Sequence, residues 1–517
     1  MTKRTLPIGV QTFKKIREEN YVYIDKTEWV HKVALKSGHY FLSRPRRFGK
    51  SLFVNTLKEL FLGNEPLFRG LWIHDNWDWS LKHPVIHLSF DQMGFETLGL
   101  DNSIARQMRL HAEAYGIELT ETQYDVQFEE LLRKLHEKHG RVVVLVDEYD
   151  KPIVKYLEFK GLEQARVNQH IMKNFYAVLK ASEAYLRLTF ITGVSKFSKV
   201  SIFSDLNHLK DLTLQSDFST AIGYTQQEIE THFEEYIADV QAEIGVDKAY
   251  LMSEIRRWYN GFSWDGVNTL YNPFGFLNFL DDKSFGNYWF TTGTPTFLLE
   301  TMREKQVFAV ENVSMSNVEL EKYSIDNVDV VALLFQTGYL TVKSKDRLTG
   351  DMVLDYPNKE VRDSLYRFMI DGLSPNERRG AALSVNQDLL KSFVNNDLER
   401  IKTLLNSLLA DLPSQVYDKQ SEGLYHGLLH FVFMLVGVSL QSEVHSSHGQ
   451  ADAVVQTPTD VYIFEFKFNR SGKAAMQQIK NKNYADKYRA SGKKITGIGV
   501  NFSVIKKRIN GWEVDVL

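Results

Sequence analysis

Residues 142–146 read VVVLV, and Asp147 and Glu148 follow at once. Five consecutive apolar residues offer water no polar face, so this segment is expected to be a strand covered on both sides. Strands of that kind belong to parallel sheets, whose connections are helices. The neighbouring sequence supplies both parts. HYFLS (39–43), PVIHLSF (84–90) and LRLTFITG (186–193) are further short apolar runs. Between them lie helical patterns: SLFVNTLKELFLG (51–63), one long polar-amphipathic stretch before 141, and another before 186. Residues 40–200 are therefore expected to form a doubly wound α/β layer.

Ligands of such sheets gather at the carboxyl ends of the strands, and two of these strands end on suggestive residues. HYFLS runs into SRPRRFGKSL (43–52), whose Gly49, Lys50 and Ser51 match the end of G-x-x-x-x-G-K-[ST]. In that pattern backbone N–H groups wrap phosphate oxygens at a helix N-terminus. The opening glycine position holds Arg44, so the string alone fits a basic turn equally well. Order along the chain tips the balance. A GKS turn, an intervening strand, an apolar strand ending in Asp147 and Glu148, and a fourth strand reaching Thr192 are what a phosphate-loop ATPase requires. Asp147 is placed to hold Mg²⁺ and Glu148 to polarise a water, with Arg46 or Arg47 as extra phosphate contacts. Taken singly, the two acids would equally suit a solvated strand end.

A length of 517 residues suggests about three domains. Residues ~220–345 turn helical and aromatic, as in TQQEIETHFEEYIADVQAEIG and YNPFGFLNFLDD, and are read as a lid-like subdomain over 221–345 beside a core of 1–220. Arg256 and Arg257 could reach phosphate there, although a solvated helix face is the commoner fate of such residues. Residues 346–380 are left as a connection, and 381–517 as a separate α/β domain with a central hairpin and a basic helical tail. Net charge is −3, so any basic surface is local. The chain has no cysteine, which removes thiol chemistry and suits a reducing compartment. MTKRTLPIGVQTF lacks a signal-peptide core, and LLHFVFMLVGVSL is too short to cross a membrane. A cytoplasmic chain without membrane contact is expected.

A second chemistry appears in VYIFEFKF (461–468), which alternates strictly. Val461, Ile463, Glu465 and Lys467 share one face, and four aromatic residues take the other. TPTD (457–460) is a turn, so 456 pairs with 461, and continuing the ladder sets Asp452 opposite Glu465. Cross-strand partners have Cβ atoms ~5 Å apart. Two carboxylates that close invite a divalent cation, and Lys467 points to the same place. A plain cross-strand charge cluster is the competing reading. Glu422 and His426, four apart on the preceding helix, could extend an acidic site, and KFNRSGKAAMQQIKNKNYADKYRASGKK adds local positive charge with Tyr484 and Tyr488.

Over most of its length the chain resembles a known combination. YVYIDKT, RPRRFGKSL, VVVLVDEYD, TGVSKFSKVSIFSDLN and YNPFGFLNFL are similar to the bacterial AAA-ATPase-like family. SEGLYHGLLH, GQADAVV, FEFKF and AMQQIKNKNYADKY resemble the PD-(D/E)xK nuclease superfamily. The resemblance implies a P-loop NTPase parallel sheet with a helical subdomain, followed by a restriction-endonuclease-like α/β domain. It implies ATP and Mg²⁺ bound by Gly49, Lys50 and Ser51, Asp147 as a metal acid, Glu148 as base, and Thr192 or Ser195 as a γ-phosphate sensor. In the second domain it implies Glu422, Asp452 and Glu465 as ligands of Mg²⁺ or Mn²⁺, Lys467 as catalytic lysine and Gln478 as a supporting polar residue. The run before the catalytic acid reads Gln450-Ala451-Asp452, without the family's arginine, which weakens a phosphate contact. The expected activity is an ATP-gated nuclease acting on nucleic acid, DNA by preference, with homo-oligomerisation left open. The alternative is a regulatory NTPase switch whose nuclease-like domain only binds nucleic acid or a partner.

Overall fold

The computed structural model is described here for residues 3–157, 161–195, 202–203, 206, 208–289, 296–321, 328–373, 381–410, 421–440, 451–503, 506 and 508–517. By internal contacts the chain divides into two units. One comprises 1–297 with 312–360, and the other 298–311 with 361–517.

In the first unit the expected apolar runs become β1 (His39–Ser43), β2 (Val85–Ser89), β3 (Val142–Asp147) and β4 (Leu186–Gly193), joined by β5 (Leu209–Asp211). All pair in parallel, in the order β2-β3-β4-β1-β5. Every residue of β1 and β3 is buried, as continuous apolar strands between two helical layers should be. After a short helix Phe95–Leu98, the stretch before β3 is two helices, Leu100–Ala114 and Tyr124–His139, because Gly116, at φ 61°, closes the first.

Beyond β5, helices Gln226–His232, Glu234–Ile244, Lys248–Tyr259 and Pro273–Asp282 pack around Ile229, Phe233, Ile255 and Phe276. Val22 and Ile24 from the N-terminal segment complete this core. The helical reading of 221–345 needs correcting at its end. A three-stranded antiparallel sheet, β6 (Val313–Met315), β7 (Thr341–Lys345) and β8 (Met352–Asp355), occupies 313–355 in the order β6-β8-β7. The segment 346–380, expected to be a connection, holds β8 and the first part of its length continues as helix Lys359–Leu373.

The second unit carries helices Ala381–Val394, Leu398–Ala410 and Ser421–Leu440 and a sheet ordered β12-β11-β10-β9. Its strands are β9 (Ala453–Gln456), β10 (Asp460–Phe468), β11 (Lys494–Ser503) and β12 (Arg508–Val516). The hairpin register is the expected one, with Val461 opposite Gln456 and Phe464 opposite Ala453. The aromatic face of β10 packs Phe464 on Phe433 and Tyr462 on Phe393, while Val461 and Ile463 face Met476 and Ile479. The basic helical tail is the helix Gly472–Asn481 and a 3-10 turn at Asp486–Ser491, crossing from β10 to the parallel β11; the chain then finishes in two strands. Glycines at 497, 499 and 511 interrupt the strand pattern of this final part.

Candidate functional site

β1 ends at Ser43, and seven residues later the helix Lys50–Phe61 begins. Gly49 is its N-cap at φ 99°, a left-handed conformation that glycine adopts without a Cβ clash. Residues 46–51 line a cavity of about 290 Å³. Lys50 is buried, and its Nζ donates to Pro45 O at 3.0 Å, the one hydrogen bond of this ammonium among the described residues. Burial pulls the Lys50 pKa down, against the opposing pull of Glu148, Asp147 and Asp150. Glu148 lines the same cavity, and burial pushes its pKa up while Lys50 resists. Arg47 and Glu148 both have positive φ, at 68° and 54°. Apart from asparagines, only Lys283 and Gln306 share that feature among the described non-glycine residues, so half of these strained positions sit on this cavity. Each such residue costs on the order of 1 kcal/mol, a burden that tends to collect where function holds it.

Arg44 does not enter the phosphate-loop cavity. Its guanidinium is 1% exposed, donates to Ser43 O, Thr213 O and Phe218 O, and stacks 4.0 Å from the Trp264 ring centroid. Burial lowers its pKa to about 9, with Asp211 and Asp265 opposing. In place of a glycine, the loop starts on an arginine that ties β1 to the chain after β5. Arg46 offers its backbone carbonyl to Asn272 Nδ2 and Trp289 Nε1, at 3.4 and 3.2 Å, and Arg47 stacks over Phe274. Asn272 also caps the helix Pro273–Asp282. Sequence reading missed both donors. An asparagine before proline is a legible N-cap signal, but Trp289 carries no local mark.

Asp147, Thr192 and Ser195 stand behind this lining. Asp147 is buried at the end of β3 and accepts from Thr192 Oγ1 at 3.3 Å. Ser195 is committed elsewhere: its Oγ and N both donate to Asp150 Oδ2 at 2.7 Å. Thr192 and Ser195, expected as phosphate sensors, are thus bonded to acids and do not line the cavity. Ser51 does line it. Arg256 is exposed and Arg257 pairs with Glu254 at 3.3 Å; neither lines the cavity.

In the second unit Glu465 is 1% exposed on β10, with Oε1 accepting from Lys467 Nζ at 2.8 Å and Oε2 buried without a hydrogen-bond partner among the described residues. Asp452 sits one step beyond the paired ladder, where its Oδ2 accepts from Phe466 N at 2.7 Å. Burial raises the Glu465 pKa and Asp452 raises it further, while Lys467 opposes. Gln478, on the helix that packs over this face, donates to Tyr484 OH at 3.4 Å. Glu422 and His426 fall on the helix Ser421–Leu440 with side chains outside the described residues, and Gln450 lies outside them as well. Among the described residues no group of three or more His, Asp or Glu side chains gathers as a metal cluster.

Residues 7–203 match the family described as predicted AAA-ATPase, and residues 420–512 match the PD-(D/E)XK nuclease superfamily. The chain is also 40% identical over 530 residues to an uncharacterized protein in the vnfD 5′ region of Azotobacter chroococcum mcd 1, with all of both chains covered. The chain belongs to the predicted AAA-ATPase family. Its C-terminal part carries the PD-(D/E)XK domain. A solved structure of the Aeropyrum pernix ORC1 protein in complex with DNA aligns with 68% of this chain and 95% of that one. At 12% identity and a TM-score of 0.26 that likeness is too slight to bear on fold or function. No described helix is long and apolar enough to cross a membrane.

Both sites of this AAA-ATPase-like chain fit the groups that the family implies. A buried ammonium with one carbonyl partner, at the N-terminus of a twelve-residue helix, suits an anionic phosphate. An orphaned buried carboxylate oxygen beside a second carboxylate suits a hard divalent cation.

Proposed function

We propose that the chain is an ATPase joined to a metal-dependent nucleic-acid phosphodiesterase, with DNA the favoured substrate and the ATP state controlling cleavage. The observation that carries the nuclease half is the unpartnered Glu465 Oε2 next to Asp452, with Lys467 on the same face of β10. Two adjacent carboxylates repel, and burial penalises the charged form of Glu465; a cation relieves both. Mg²⁺ or Mn²⁺ bound there would supply charge for a phosphoryl oxygen and acidify a water. Asp452 and Glu465 would hold the ion, and Glu422 is proposed as a third ligand. Lys467 would release Glu465 to the metal and turn its ammonium toward the developing phosphate charge. Gln478 and Tyr484 would position the nucleic acid.

In the ATPase half, Lys50 and the N–H groups at the start of its helix would hold the phosphates, with Ser51 and Asp147 at Mg²⁺. Glu148, its pKa raised by burial, would accept the proton of the attacking water. Thr192 would act through Asp147, and Ser195 through Asp150, rather than by touching phosphate.

The nuclease reading is tested with purified full-length protein, Mn²⁺, ATP and labelled DNA and RNA. Cleavage is expected from wild type and none from Asp452→Ala or Glu465→Gln, with Mn²⁺ binding lost in calorimetry. A second reading, a switch whose C-terminal domain only binds, draws support from the closed Lys467–Glu465 pair at 2.8 Å. Wild-type protein that cuts neither nucleic acid, and an Asp452→Ala variant that binds both unchanged, would favour it.

A further inference from the structure

The phosphate-loop cavity lies at the carboxyl ends of the strands. At their opposite ends, in the same unit, is a second hollow of about 670 Å³. Residues from the starts of β1, β4 and β5 line it, together with Arg141, which immediately precedes β3. Its wall presents Arg141, Arg187, Lys210, His39 and His208 against one carboxylate, Glu183. One cation at a strand start is an ordinary solvated end. Five cation-forming side chains around one hollow oppose each other.

That opposition is visible in the titration of the group. After burial, like charge from Arg141 helps depress the Arg187 pKa, and His208 helps depress that of His39, where Glu183 pulls the other way. Arg187 is anchored by donating to Ala34 O at 2.5 Å. Arg141, Lys210 and His208 make no ion pair or side-chain hydrogen bond among the described residues. His39 is only 8% exposed, and its Nδ1 is buried with no partner among the described residues. A buried polar atom left unpaired is costly.

We propose that this hollow is a second binding site, for a phosphate-bearing anion, separate from the phosphate-loop cavity. Arg141 and Arg187 offer forked donors that match phosphate oxygens, and Lys210 adds a point charge, with His39 in the wall. With neutral histidines, the three permanent cations outweigh Glu183 by two charges. The same chemistry is presented by a nucleic-acid backbone and by a free polyphosphate. None of these residues belongs to the ATPase or nuclease sites, so the assignment stands or falls without them.

The test uses full-length Lys50→Ala protein, to remove competition from the phosphate loop, without divalent metal. The probes are inorganic tripolyphosphate, read by calorimetry, and a short fluorescent DNA duplex, read by anisotropy. Arg141→Ala and Lys210→Ala change exposed side chains, so the fold should survive. Each is expected to weaken binding about tenfold, and for the duplex to lower the slope of log affinity against log salt by about 1. Weakened duplex binding, with or without an effect on tripolyphosphate, assigns nucleic acid; weakened tripolyphosphate binding alone assigns a free polyphosphate. Arg133→Ala, an exposed arginine paired with Glu137, should change neither. The proposal is overturned if the parent binds neither probe, if both hollow variants bind like the parent, or if Arg133→Ala weakens binding equally.

Discussion

Burial drives Lys50 and Glu148 each toward its neutral form, and each resists the shift of the other. Lys50→Ala removes the ammonium without breaking more than one loop hydrogen bond, so ATP turnover should vanish while the urea midpoint stays close to wild type. Unchanged turnover in that variant would remove Lys50 from the proposed phosphate site. Glu148→Gln should still bind ATP and hydrolyse it ~10²–10⁴-fold more slowly, the usual cost of a lost general base; a fluorescent nucleotide titration beside a steady-state assay separates the two effects. Lys467→Ala should retain Mn²⁺ and lose cleavage, because the lysine is proposed to act on the transition state. Turn, strand end and alternation mark the positions of Lys50, Ser51, Glu148, Asp452, Glu465 and Lys467 in the sequence, and the structure places the first three on one cavity and the last three together at β10. Arg44 was legible only as an oddity. Its partners Thr213, Phe218 and Trp264 are remote in sequence, and no local pattern announces an arginine turned inward.

Hairpin β9–β10 could be read in register because a slip of one residue would exchange an aromatic face for a mixed one. The strands β11 and β12 could not. Gly499 pairs with Glu465 across the parallel ladder, and a Cβ there would lie 2.5 Å from Gly472 O and from Met476 N. The helix Gly472–Asn481 therefore rests directly on backbone, and the glycines that allow this erase the alternation that marks a strand. Gly499→Val should push the helix outward and destabilise the C-terminal unit by about 1–3 kcal/mol, the usual cost of overpacking. Chemical denaturation would register the loss, and ATP turnover should remain. A variant as stable as wild type would mean that the helix can yield freely.

At the scale of the whole chain, Glu360 stands where the first unit gives way to the second. It is fully buried, accepts from Trp289 N at 2.7 Å, and burial raises its pKa to about 8, with the backbone hydrogen bonds opposing. The folded state thus binds a proton more tightly than the unfolded state, whose glutamate titrates near 4.5. Its stabilising contribution is complete below that value and is lost as pH rises through about 8. Glu360→Gln should melt close to wild type at pH 4 and above it at pH 9, the gap opening between; equal melting temperatures at pH 9 would show that the carboxyl ionises there without cost.

The short insertion 298–311 was invisible in the sequence, for no change of composition marks either of its ends. Its Glu311 accepts from Tyr366 OH at 3.0 Å and lies 3.3 Å from His430 Nε2, while Phe308 packs on Phe431. Burial works to raise the Glu311 pKa, but His430 and Tyr366 outweigh it. Because the polypeptide passes from one unit to the other at 297/298, 311/312 and 360/361, no single cut yields two whole parts. A gene fragment starting at codon 361 would encode a nuclease-like half with a hole where Leu298, Met302, Phe308 and Val310 belong. Recombination that joins contiguous stretches of coding sequence would therefore split the C-terminal unit rather than exchange it whole.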